Sequence, residues 1–88
     1  MDPEAHILVV DDDSQVRQLI GRFLRENGYR VTGVRDGREM RSTLASADVD
    51  LIILDLMLPG TSGLDLCREL RASSSLPIIM LTAKGEDT

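Results

Sequence analysis

The chain has 88 residues, enough for one small domain and too few for two. Fifteen acidic residues against ten basic ones give a net charge of −5, which argues against direct nucleic-acid binding, because phosphate contact needs a basic face. A single cysteine, Cys67, excludes an internal disulfide, and no apolar run approaches the ~20 residues of a membrane span.

The first residues, "MDPEAHILVV", hold no basic n-region and no cleavage pattern, so a reducing, cytoplasmic location is expected. Residues 6–10, "HILVV", read as a strand buried on both faces. His6 at its start is expected to face solvent. In "DDDSQVRQLIGRFLRENG", Val16, Leu19, Ile20, Phe23 and Leu24 recur on one face of a helix. Asp13 or Ser14 can cap its start, and Gly28 suits its left-handed end. Arg17, Arg22, Arg25 and Arg30, spread around this helix and the next strand, read as a solvated face. "YRVTGV", 29–34, is a second strand. A short helix follows in "DGREMRSTLASA", with Asp36 as N-cap, Glu39 completing a capping box, and Met40 and Leu44 as an apolar stripe.

"DLIILD", 50–55, is a third strand that ends in a carboxylate, and "LMLPGTSG" is a loop turned by Pro59-Gly60. "LDLCRELRASS" is a third helix, with Leu64, Cys67 and Leu70 in a row and Leu66 beside them. Cys67 reads as a small packing hydrophobe. "PIIML", 77–81, is a fourth strand, followed by "TAKGEDT". The order β-α-β-α-β-α-β, with helical crossovers, predicts an α/β fold built on a parallel sheet.

Ligands of open parallel sheets bind outside the carboxyl ends of the strands. Those ends carry Asp11-Asp12-Asp13, Asp55 and Thr82-Ala83. Asp13 reads as a cap. Asp11, Asp12 and Asp55 together form a set of hard oxygen donors without histidine or a second cysteine. Such a set fits Mg²⁺, which takes oxygen ligands at about 2.0–2.1 Å, better than zinc.

"ILVVDDD", "LIILDLMLPGTSG" and "LPIIMLTAKGED" resemble the receiver domain of two-component response regulators, and most closely that of the OmpR-like winged-helix regulators. The resemblance covers essentially the whole chain. It implies a doubly wound, flavodoxin-like (CheY-like) sheet of order 2-1-3-4 and phosphotransfer from a histidine kinase. It makes Asp55 the phosphoacceptor and assigns Mg²⁺ to Asp12 and Asp55 directly, to Asp11 mostly through water, and to the backbone carbonyl of Met57. Thr82 would be the hydroxyl that closes on the phosphoryl group, and Ala83 the small residue that leaves room for it. Receivers of this kind promote their own phosphotransfer and turn over no external substrate.

The resemblance also implies a fourth helix, a fifth strand carrying a lysine and an aromatic switch residue, and a fifth helix after "TAKGED". Lys84 lies too close to Thr82 to serve as that lysine, and Phe23 and Tyr29 are not placed as the switch. The expectation is a truncated receiver over residues 1–88, without an effector domain or the DNA contact one would bring. Its fourth strand would be an edge through which the chain self-associates. Two further readings stay open. One is a non-signalling dimerisation or split-domain fragment that keeps only the acidic pocket. The other is a phosphohydrolase of the haloacid-dehalogenase kind, which expects a second acid where Met57 stands.

Overall fold

The computed structural model describes residues 5–58, 60 and 62–81. Among these residues four strands and three helices alternate: β1 (His6–Val10), α1 (Ser14–Glu26), β2 (Arg30–Val34), α2 (Gly37–Ser46), β3 (Leu51–Asp55), α3 (Gly63–Ser73) and β4 (Ile78–Leu81). All strand pairs are parallel, in the order β2-β1-β3-β4. This is the expected doubly wound arrangement, with element bounds shifted by a residue where a strand meets its cap.

The period of two along each strand sorts the side chains onto two faces. Leu8, Val10, Val34, Ile52 and Leu54 face α2 and α3 and pack with Met40, Leu66 and Leu70. Ile7, Val9 and Ile53 face α1 and pack with Ile20, Leu24, Val31 and Leu81. Every residue of β1 is buried, as befits a central strand covered on both sides. The two faces are unequally covered. Among the described residues a single helix lies over the second face, and Leu19 (67% exposed), Phe23 (63%) and Ile79 (49%) remain open there. The wide apolar stripe of α1 thus meets the sheet with only part of its width, through the Ile20–Leu24 pair one turn apart.

The helix ends follow from local chemistry. Asp13 caps α1, accepting from the N–H groups of Gln15 (2.9 Å) and Val16 (3.3 Å). Gly28 follows α1 with φ +92°, a conformation that costs a glycine little. Asp36 caps α2 through Glu39 N–H (2.9 Å), and the Glu39 carboxylate reaches back to the N–H of Arg35 (3.0 Å), one residue earlier than in the usual box. Ser62 caps α3. On α3 the buried residues are Leu66 and Leu70, with Cys67 half-buried beside them, while Leu64 is half exposed. The expected row beginning at Leu64 therefore starts two positions late, because the i, i+4 pair Leu66–Leu70 faces the sheet. A two-pronged Arg41–Glu69 ion pair (2.7 and 2.9 Å) links α2 to α3 on the surface.

His6 corrects the sequence reading. It is buried, not solvent-facing. Its Nδ1 lies 2.9 Å from the carbonyl oxygen of Asp48, so Nδ1 carries the proton, and the Thr32 hydroxyl donates to its Nε2 (2.8 Å). Its backbone N–H donates to the Asp50 carboxylate (2.8 Å), and Asp50 N–H donates to the His6 carbonyl (2.8 Å). With both ring nitrogens satisfied, burial costs the imidazole little, and the ring ties the start of β1 to the middle of β2 and to the segment that leads into β3.

Candidate functional site

The register places the acidic residues. Val10 of β1 pairs with Leu54 of β3, so Asp11 and Asp55 follow side by side at the carboxyl end of the sheet. This is the point where the chain's strand order reverses, since β2 lies on one side of β1 and β3 on the other. Asp12 stands next in the same turn. One carboxylate oxygen from each of Asp11, Asp12 and Asp55 lies within 4.8 Å of the others. Asp11 and Asp55 are buried, and Asp12 is exposed.

Each buried carboxylate is oriented by the chain that leaves its strand. Asp11 Oδ1 accepts from Asp13 N–H (2.9 Å), and Asp55 Oδ1 accepts from Met57 N–H (3.0 Å). Both are Asx-type turns that aim the side chain back over the strand end. Arg17 donates through Nη1 to the backbone carbonyl of Asp11 (2.7 Å), which pins α1 to the same turn. Burial pushes the Asp11 carboxyl above the usual carboxylate range, against the Asp13 N–H bond that lowers it. The charges of Asp55, Asp12 and Asp13 raise it further.

Gly63 brings α3 to this edge. A Cβ there would lie 2.3 Å from the Asp55 carbonyl oxygen and 2.6 Å from Leu56 Cα, so only glycine lets the first turn of α3 press against the end of β3. Gly63 N–H donates to the Leu56 carbonyl (3.2 Å) at the same place. Reading the sequence as a loop through Gly63 missed this role, because the contact joins positions whose approach only the fold reveals.

The three carboxylates line an open hollow with Val16, the exposed loop residue Met57, and Leu81. Leu56 N–H donates to the Leu81 carbonyl (3.1 Å), so β4 leaves the sheet at the rim of this hollow. Thr82, Ala83 and Lys84 lie outside the described residues, as does Pro59. Gly60 has φ +80°, consistent with a turn in the loop after β3. Clustered carboxylates with only oxygen donors suit a hard divalent cation, which would offset both the burial of Asp11 and the smaller repulsion from Asp55 and Asp12. Mg²⁺ fits this set.

Comparison with known proteins gives a consistent picture. Residues 7–88 match the family described as response regulator receiver domain. The chain is 47% identical over 81 residues to protein PetR of Rhodobacter capsulatus, covering 92% of this chain and 34% of PetR. It is 45% identical over 84 residues to the transcriptional regulatory protein ResD of Bacillus subtilis, covering 96% of this chain and 35% of ResD. The chain thus spans about a third of the length of these curated relatives. Among solved structures it is similar to the response regulator TrrA of Thermotoga maritima in complex with Mg²⁺-BeF, with a TM-score of 0.85 and 39% identity over 92% of this chain and 71% of that one. A second structure holds TrrA in complex with the histidine kinase ThkA. It matches with a TM-score of 0.84 and 38% identity over 93% of this chain and 72% of that one.

Proposed function

The chain belongs to the response regulator receiver domain family, and from that premise we propose that it is a phosphoacceptor module of a two-component signalling system, phosphorylated on Asp55 by a histidine kinase in a Mg²⁺-dependent reaction. The observation that carries this reading is the convergence of Asp11, Asp12 and Asp55 at the reversal point of the sheet.

A carboxylate is a poor nucleophile toward a phosphoryl group, because like charges meet. Position offsets part of that barrier. Met57 N–H holds Asp55 Oδ1, and the other oxygen has no hydrogen-bond partner among the described residues, so it is the atom that attacks. The bond from phosphorus to the kinase imidazole breaks as the bond to Asp55 forms, and the imidazole leaves with its electron pair. Asp11, Asp12 and Asp55, with the carbonyl of Met57, are the groups that would hold Mg²⁺. When bound, the ion supplies neutralisation of the charge on the transferring phosphoryl oxygens. Thr82 is assigned the hydroxyl that donates to a phosphoryl oxygen, and Ala83 the small residue beside it. Gly63 keeps α3 against the acceptor strand, so a change at Asp55 is felt at the first turn of α3. The kinase complex of the similar TrrA supports the choice of phosphodonor.

The test is treatment with acetyl phosphate, or a beryllium-fluoride mimic, and Mg²⁺. A mass increase of one phosphoryl group and amide shifts around Asp55 are expected in the wild type and absent in Asp55→Asn. An adduct that persists in Asp55→Asn refutes the assignment.

A second reading, self-association, is favoured by one observation. Among the described residues no strand pairs with the outer side of β4, and Ile79, Leu19 and Phe23 are exposed on that face of the sheet. Unpaired backbone beside apolar side chains is a template for a second copy. Size-exclusion chromatography with light scattering should then show a dimer that Ile79→Lys dissociates, and a monomer at all concentrations refutes it.

A further inference from the structure

The charge of this chain is segregated. Residues 14–41 carry seven of the ten basic residues and only three acidic ones, in a protein whose net charge is −5. Much of this basic stretch is α1 and β2, and among the described residues β2 is an edge of the sheet. Arg30 N–H donates to the Ala5 carbonyl and Asp11 N–H to the Val34 carbonyl, so residues 30, 32 and 34 spend their backbone groups on β1. Val31 and Gly33 therefore turn their N–H and C=O groups outward.

Arg25 Nη2 already donates to the outward carbonyl of Val31 (3.2 Å). The Arg17 side chain lies over Gly33, where a Cβ would come within 3.4 Å of its Cδ. An open hollow of about 250 Å³ is lined by Ser14, Arg17, Gln18, Arg25, Val31 and Gly33. Arg22 and Arg25 stand with Gln18 and a single acidic residue, Glu26, around a second hollow next to it. Among the described residues the ion pairs are Arg35–Glu39, Arg41–Glu69 and Arg68–Asp65, so Arg17, Arg22 and Arg25 are neutralised by none of them.

We propose that the outer edge of β2, with Arg17, Arg22 and Arg25 above it, is a docking surface for an extended acidic segment of a partner protein. The segment adds a strand to β2 through the outward backbone groups of Val31 and Gly33, displaces the Arg25 guanidinium from the Val31 carbonyl, and aims alternate carboxylates at the arginines. A second copy of this chain is a poor occupant, because pairing two β2 edges would bring the arginines of both copies together. This surface lies on the opposite edge of the sheet from β4 and does not depend on phosphorylation of Asp55.

The test titrates the ¹⁵N-labelled chain with a capped peptide of alternating glutamate and threonine. The expected result is a shift of the Val31 and Gly33 amides and their protection from hydrogen exchange, with affinity that falls as NaCl is raised. Arg25→Glu should weaken binding by about tenfold or more, while Arg68→Glu on α3 leaves it unchanged. The wild-type salt dependence gives a readout that needs no variant. The proposal is overturned by an absence of shifts at saturating solubility of the peptide. It is also overturned by equal shifts from a lysine–threonine peptide, or by the same shifts from inorganic phosphate without protection of the Gly33 amide.

Discussion

Replacing Asp55 by asparagine tests the electrostatics of the acidic rim directly. Asparagine keeps the shape and can keep the acceptor for Met57 N–H, but it removes one of three negative charges. With carboxylate oxygens within 4.8 Å of one another, a pair of unit charges repels by about 1 kcal/mol at the dielectric of water and about 3.5 kcal/mol at an effective value near 20. Asp12 is exposed and screened, so the pair that counts is Asp11–Asp55, both buried. Asp55→Asn should therefore stabilise the metal-free chain by about 1–3 kcal/mol, at roughly 4–8 °C in Tm per kcal/mol for a domain of this size. Mg²⁺ should reverse the order. At a hundred times its Kd it stabilises a binding-competent fold by about 2.7 kcal/mol, and the variant forfeits most of that gain. The assay is thermal unfolding followed by circular dichroism, in EDTA and in saturating MgCl₂. A variant that melts lower than wild type in EDTA, or that gains as much from Mg²⁺, refutes the idea that these carboxylates share one cation.

Metal-free stability should also respond to pH through Asp11. Its folded pKa lies above the ordinary value of 3.8, so the folded state takes up the proton first, and stability rises as pH falls through the folded pKa toward that value. Melting in EDTA across this range should show the rise, and Asp11→Asn should flatten it. His6→Ala strips the contacts to the Asp48 carbonyl and the Thr32 hydroxyl and should cost about 1–3 kcal/mol in urea unfolding. Gly63→Ala forces a methyl group into the Asp55 and Leu56 backbone and should cost about 1–3 kcal/mol, with slower formation of the phospho-adduct by mass spectrometry. An unchanged urea midpoint in either variant would refute the corresponding contact.

The strands and helices were legible because each signal is local. "HILVV" and "LIILD" are apolar runs of strand length, and Asp13, Asp36 and Gly28 mark helix ends. The meeting of Asp11 with Asp55 was legible at one remove, since a parallel sheet brings successive strand ends to one edge. What escaped depends on distant pairs. His6 is buried because Thr32 and Asp48 supply its partners, 26 and 42 residues away. The outward groups of β2 depend on which strand lies at the edge. Leu64 looked equivalent to Leu66 along the helix, and only the angle at which α3 meets the sheet distinguishes them.

The missing side chain of Gly63 has a mechanical outcome. With backbone set against backbone there is no compressible padding between the end of β3 and the start of α3. A displacement of the Asp55 backbone therefore presses first on the opening turn of α3, with no side chain in between to absorb it.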